Sequence, residues 1–103
     1  MNWQYTGGWN LDDFNRSLSI EDDYTLKADE KAPFVSFACS AASKSIVLGI
    51  SDGDVMFVAN IGGTNAVTVK AITGDTGTSV AAGKVAIVIG STTASASKIY
   101  VLN

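Results

Sequence analysis

The stretch Phe34-Val-Ser-Phe-Ala-Cys-Ser40 decides the fold class, because its side chains repeat with a period of two. In an extended segment this period places Val35, Phe37 and Cys39 on one face, whereas a helix needs a repeat of about 3.6 residues. We therefore predict six strands after residue 33 and an all-β fold. The other runs share the period and are rich in β-branched residues: Ile46–Ile50, Val55–Ala59, Val67–Val69, Val85–Ile89 and Ile99–Val101.

Turns that contain glycine separate these runs at fairly regular intervals. Glycine supplies the positive φ that tight hairpins need, and strands every 8–12 residues are typical of sandwiches and barrels. We expect residues 34–103 to form a small antiparallel β-sandwich or barrel. Several strands are apolar on both faces, so we expect part of this surface to contact another chain. The turns are Ser51-Asp-Gly-Asp54, Ile61-Gly-Gly-Thr64, Thr73-Gly-Asp-Thr-Gly77 and Ala81-Ala-Gly-Lys84.

Residues 1–33 differ from this body in charge and pattern. They carry seven acids against three basic residues and show no sustained period of two or 3.6. Pro33 favours an extended conformation at Ala32 and marks a join. The sequence thus predicts an extended, acidic and aromatic N-terminal arm over 1–33. Aromatic side chains bury much area at little entropic cost, so we predict that those of the arm anchor an interface: Trp3, Tyr5, Trp9, Phe14 and Tyr24.

Composition excludes several classes of function. The 103 residues are enough for one domain, and the chain has no His and a single Cys, Cys39. Histidine triads, imidazole metal ligands and intramolecular disulfides are therefore excluded, and we expect no enzyme activity. The net charge of −3 and the single Arg16 argue against nucleic acid as a partner. No apolar run reaches the ~18 residues of a membrane span, and the start lacks the pattern of a signal peptide.

Three local patterns suggest ligands, and each has a simpler interpretation. Gly77 to Lys84 resembles a phosphate loop, but the spacing of its glycines is wrong and Val85 replaces the Ser or Thr that would bind magnesium. Asp52 and Asp54 could hold calcium, although a turn selects Asp-Gly for backbone reasons alone. Cys39 lacks an activating base and is expected to be a small buried hydrophobe. We therefore expect no cofactor and no metal.

The aromatic residues of the arm allow a second interpretation. A platform of Trp3, Tyr5 and Trp9 beside Gly7-Gly8 could stack on sugars. The chain would then be a carbohydrate-binding module for host-surface glycans.

The C-terminal half carries an ordered series of strands and turns. A strand ending in Asn60 is followed by a Gly-rich turn, Val67-Thr-Val-Lys70, a Gly74-x-x-Gly77 loop, a Val80-x-x-Gly83-Lys84 turn and an apolar strand ending at Gly90. This series resembles a β-module common in structural proteins of tailed bacteriophages. The match covers about half of the chain and departs from the family pattern after Gly90, where Ser-Thr-Thr-Ala-Ser-Ala-Ser97 replaces the usual Asp-Gly-Thr-Asn turn.

The resemblance implies a place in the virion, after synthesis in the host cytoplasm. Proteins with this module are capsid decoration proteins, head-fibre proteins or tail appendages, and they often form trimers or rings. We expect a head decoration or cement protein that bridges capsid subunits, with a tail or neck component as the alternative. The expected partners are capsid or other virion proteins and further copies of the chain, with a trimer favoured; no nucleic acid or membrane is expected.

Overall fold

The structure is a computed structural model that describes residues 15–91 and 98–102. These residues form nine strands in two open sheets and one turn of 3-10 helix at Ala28–Glu30. The predicted all-β class is confirmed. The first sheet contains, in spatial order, β1 (Asn15–Ile20), β3 (Phe34–Cys39), β5 (Val55–Asn60), β8 (Val85–Ile89) and β9 (Lys98–Leu102). The second contains β2 (Tyr24–Thr25), β4 (Lys44–Val47), β6 (Val67–Lys70) and β7 (Thr78–Val80).

The first six strands wind between the two sheets. In the five-stranded sheet Asn15 pairs with Phe34, and Phe34 pairs with Phe57, both in parallel. In the four-stranded sheet Tyr24 pairs with Ile46 and Ile46 with Val69, again in parallel. The chain therefore winds once through both sheets about every twenty residues, and each winding adds one strand to each sheet. The remaining pairings, β6 with β7, β5 with β8 and β8 with β9, are antiparallel.

The prediction of an antiparallel sheet for residues 34–103 was therefore wrong for the pairings of β3 with β5 and of β4 with β6. Of the four glycine turns, only Thr73–Gly77 joins neighbouring strands of one sheet, whereas the other three carry the chain across to the other sheet. The local chemistry was nevertheless right at Gly53, Gly74, Gly77 and Gly83, which all have positive φ. A positive φ reverses the local chain direction, but it does not determine which sheet receives the next strand.

One hydrophobic core joins the inward faces of both sheets. From the five-stranded sheet it takes Val35, Phe37 and Cys39, as the sequence predicted. In β5 and β8 the sequence is apolar on both faces, and the inward residues include Met56 and Val88. The second sheet and its extensions add the following core residues: Ile46, Leu48, Ile50, Val67, Val69, Ala71 and Val80.

Residues 15–33 belong to this folded body, whereas the sequence predicted that they form an arm. β1 pairs along its whole length with β3, and β2 pairs with β4. Ile20, Leu26 and Ala32 are buried in the shared core. The period of two is hard to recognise here because the strands are short and change sheet between Ile20 and Tyr24. The rest of the expected arm, residues 1–14, lies outside the described residues.

A buried amide fixes the end of β5. The Asn60 side chain is fully buried, and its Nδ2 donates to the carbonyls of Asn65 at 2.8 Å and Val80 at 2.9 Å. Its Oδ1 accepts the Gly62 N–H at 3.1 Å. Asn65 in turn donates through Nδ2 to the Cys39 carbonyl at 3.0 Å. These bonds join the ends of β3, β5 and β7, so that both sheets are held together by satisfied polar groups at this point.

Candidate interaction surface

The outward face of the five-stranded sheet is mainly apolar across four strands, with Ser36 on β3 and Lys98 on β9 as its polar residues. Because Val35, Val58, Ala86 and their neighbours point into the core, alternation turns the residues between them outward. One row runs straight across the sheet through successive pairings: Phe34, Phe57, Ile87 and Tyr100. We call the apolar surface formed by this row and its neighbours the outer face: Phe34, Val55, Phe57, Val85, Ile87, Ile89, Tyr100 and Leu102.

The outer face remains accessible to solvent. Tyr100 is 55% exposed and Leu102 is 43% exposed. Its residues on β3, β5 and β8 are half-buried, with none exposed as fully as these two. Lys98 pairs with Ile89 at the edge of the sheet. It is the one charged residue on the outward side of β3, β5, β8 and β9. The largest apolar patch on a protein surface is often a functional one, which makes the outer face the candidate site.

The outward face of the four-stranded sheet provides an internal comparison. There the rows contain Ser45, Thr68 and Ser79, and next to them Thr25, Val47 and Lys70. Hydroxyl groups and one ammonium thus face solvent on this side, as expected for an antiparallel or mixed sheet with one solvated face. The two sheets share one core yet differ in their outward chemistry, which makes the five-stranded sheet the candidate interaction side.

Tyr24 is the one predicted interface residue that lies in the described part of the chain. It is half-buried against the core, and its Oη donates to Glu30 Oε2 at 2.5 Å. This bond raises the pKa of the Tyr24 phenol and lowers the pKa of the Glu30 carboxyl below its ordinary value. Tyr24 therefore packs within its own subunit, and its role at an interface stays a prediction. The other four residues predicted for the interface lie outside the described residues: Trp3, Tyr5, Trp9 and Phe14.

The acids that follow β1 also serve the fold. Asp22 Oδ1 accepts the Asp23 backbone N–H at 2.8 Å and lies 3.2 Å from Lys44 Nζ. The backbone bond first, and Lys44 next, lower the pKa of Asp22, while Asp22 raises the pKa of Lys44. Asp23 Oδ1 accepts the Ser45 backbone N–H at 2.9 Å. These carboxylates hold the turn before β2 onto the start of β4.

The residues considered for calcium and phosphate form ordinary turns. Asp54 Oδ2 accepts the Ser51 N–H at 3.2 Å, which closes the turn before β5. Within residues 15–91 and 98–102, no three potential metal-ligating side chains come together. The loop from Gly77 to Lys84 contains β7 and leads into a strand, so the strand-loop-helix context of a phosphate loop does not occur there.

A shallow depression of about 330 Å³ lies at the carboxyl ends of β1 and β3, between Glu21, Ser40 and Gly63. Cys39 contributes to its lining but is only 5% exposed. Its Sγ donates to the Ala41 carbonyl at 3.2 Å. The expectation of a buried, apolar cysteine is confirmed.

Sequence reasoning did not identify the residues of the outer face as a site. It noted strands that are apolar on both faces, and these strands contribute the residues of the outer face. It could not align Phe34 with Phe57, because that pairing is parallel and spans about twenty residues. Nor could it align Phe57 with Ile87, since β6 and β7 of the other sheet lie between these antiparallel partners in the chain. Aromatic residues at equivalent positions of successive windings are the signal that could have found the pair Phe34 and Phe57.

Comparison with known proteins gives no match to any family model, to any curated protein or to any solved structure. The similarity of Val55–Gly90 to phage modules therefore stays a prediction. None of the described residues form a helix of the length and hydropathy that a membrane crossing requires.

Proposed function

We propose that this chain is a structural protein of a bacteriophage particle, a head decoration or cement protein that binds capsid subunits through the outer face. The observation that carries the proposal is the apolar row Phe34, Phe57, Ile87 and Tyr100 on a sheet whose partner sheet is polar outside. The proposed location in the virion is based on the resemblance of Val55–Gly90 to phage modules. The capsid partner is expected to offer an uncharged apolar patch.

The proposed architecture is a two-layer β-sandwich. One core contains side chains from both sheets, which supports face-to-face packing of the layers. The outer face is then the outside of one layer, and the Ser and Thr rows form the outside of the other. A decoration subunit of this kind would lie on the capsid with its apolar layer down and its polar layer in solvent.

A binding experiment with purified capsids tests the role of the outer face. Tyr100→Thr keeps a residue that is favoured in strands while it removes an exposed aromatic ring. We expect it to weaken capsid binding by about tenfold or more, the range of an interface hot spot. Ile61→Thr is the control, since Ile61 is 60% exposed and lies outside the outer face. Equal binding by both variants would contradict the proposed use of this surface.

Immunogold labelling of phage particles from cells that produce the chain tests its location. Gold on the heads is the expected result. Gold on the tail or neck would favour the alternative appendage role, and intact particles without label would overturn the virion role. The glycan alternative depends on Trp3, Tyr5 and Trp9, which lie outside the described residues, and it stays a prediction.

A further inference from the structure

The strand β9 forms one edge of the five-stranded sheet. It pairs with β8 along one side, and its other side faces no strand in the described part of the chain. Natural edge strands are usually protected by charges, prolines or bulges. β9 reads Lys98-Ile-Tyr-Val-Leu102 and has one charge, at its first residue. The opposite edge, β1, instead places Ser17 and Ser19 in its outward row.

The side chains of β9 are exposed on both faces of the sheet. Tyr100 and Leu102 face outward, whereas Val101 pairs with Ala86 and shares the inward side. Val101 is nevertheless 36% exposed, although Ala86 is fully buried. The four-stranded sheet therefore leaves β9 only partly covered. An apolar strand with exposed side chains and an accessible backbone is suited to pairing with another strand.

We infer that β9 pairs antiparallel with β9 of a second copy, around a two-fold axis through Tyr100. This register pairs all five residues of both strands. Tyr100 then lies opposite Tyr100 of the copy, Ile99 lies opposite Val101, and Lys98 lies opposite Leu102. Aromatic pairs and pairs of β-branched residues are favourable across antiparallel strands.

The charges on β9 are compatible with this symmetry. Lys98 is two residues from the axis, so the two ammonium-bearing residues would be separated by about 13 Å along the strands. At that distance two solvated charges are largely screened at physiological salt. A head-to-tail arrangement, with β9 beside β1 of the next copy, would instead place Tyr100 and Leu102 next to the serine row of β1. Such an arrangement would also leave an edge open for further growth, whereas the two-fold closes.

The size of the outer face also favours a second copy. Four strands of five residues span a flat area of about 19 by 17 Å, or roughly 320 Å². A stable interface uses about 800 Å² per partner, so one subunit offers less than half of this. Pairing at β9 joins the rows of two subunits on the same side of one continuous sheet and doubles the apolar area. The inference rests on the edge strand and does not require the virion role.

Sedimentation of the isolated full-length chain tests the pairing. We expect a dimer that dissociates on dilution, and we expect Val101→Lys to shift the protein to monomer because it places a charge on the pairing strand. Ile61→Lys adds the same charge at an exposed apolar loop residue and is expected to remain dimeric. Thermal melts should show that both variants stay folded. A monomeric wild type, or a dimeric Val101→Lys, would overturn the inference.

A cross-linking experiment tests the register. In the proposed dimer the Cα atoms of residue 100 are about 5 Å apart across the axis, which lies within the range that a disulfide bridges. We expect Tyr100→Cys to form a covalent dimer on mild oxidation. Leu102→Cys is the control, because its counterpart lies several residues away along the strands. Cross-linking of both variants to the same extent would contradict the register.

Pairing at β9 and capsid binding can be tested independently of each other. If Val101→Lys is monomeric but still binds capsids, the pairing is real and the capsid contact needs only one subunit. If the wild-type dimer forms but binds no capsid, the edge inference stands and the virion role fails.

Discussion

Gly77 and Gly83 show how two residues with the same backbone conformation differ in their surroundings. Both have positive φ, 81° and 83° respectively. A Cβ at Gly77 would lie 2.7 Å from both the Val69 carbonyl and Thr68 Cγ2, whereas at Gly83 no atom lies within 4 Å. Gly77 is thus required for both conformation and space, and Gly83 for conformation alone.

We predict that Gly77→Ala lowers the free energy of unfolding by about 3 kcal/mol, as left-handed strain of about 1–2 kcal/mol adds to overpacking of similar size. Gly83→Ala is the matched control and is expected to cost about 1 kcal/mol, because the lower entropy of its unfolded chain offsets part of the strain. Urea unfolding of both variants measures the difference. Equal losses would show that the neighbours of Gly77 yield without cost.

The bond from Tyr24 to Glu30 predicts a pH dependence of stability. Glu30 has a lowered pKa in the folded protein, chiefly because Tyr24 donates to it. Its contribution is therefore present above the ordinary glutamate pKa of about 4.3, and it is lost as the pH falls through the lower folded value. Tyr24→Phe should lower the free energy of unfolding at pH 7. The difference in this free energy between the variant and the wild type should become smaller at pH values below the folded pKa of Glu30.

Urea midpoints at neutral and acidic pH measure this difference. The ion pair of Asp22 with Lys44 titrates in both proteins and cancels in the comparison. Tyr100→Phe removes a hydroxyl outside this pair and is expected to show no such narrowing. A difference in urea midpoint between Tyr24→Phe and wild type that does not change with pH would contradict the prediction.

The short strands β1 and β2 are the elements whose role differs most from the sequence prediction. Leu26 follows β2, is 5% exposed, and its N–H donates to the Val47 carbonyl at 2.9 Å. We predict that Leu26→Ala lowers the free energy of unfolding by about 2–4 kcal/mol, as for other buried leucines. Leu102→Ala makes the same change at a residue that is 43% exposed, and it should cost well under half as much.

Chemical denaturation of the monomeric Val101→Lys background measures these two losses without a contribution from pairing at β9. An unchanged midpoint for Leu26→Ala would restore the interpretation of residues 15–33 as a detachable arm. A large loss for Leu102→Ala would show that β9 is covered within its own subunit.

Alternation predicted most of the strands after residue 33, because Val35, Phe37 and Cys39 each face one core. It did not predict β1 and β2, since two-residue β2 is too short to show a period. Nor could it predict parallel pairing, because parallel partners such as Phe34 and Phe57 are distant in sequence and carry no shared turn. The outer face depends on this pairing, so the candidate site was visible only as an excess of apolar residues.

At the scale of the whole molecule, the two sheets share one core but differ in their outward chemistry. The four-stranded sheet presents Ser45, Thr68 and Ser79 to solvent, while the five-stranded sheet presents the outer face and its apolar edge. Assembly would then use one layer only. Under both proposals, the polar rows of the four-stranded sheet would stay solvated in the dimer and on the capsid.

The winding of the chain between its sheets also bears on biosynthesis. β1 needs β3, β3 needs β5, and the only hairpins among the described strands, β6 with β7 and β8 with β9, lie after Val67. Each early strand thus emerges from the ribosome before its later partner does, and pairings that span long stretches of sequence form slowly. We therefore expect the nascent chain to expose Val35, Phe37 and Ile46 until the later strands emerge, and exposed apolar surface of this kind favours aggregation or contact with chaperones.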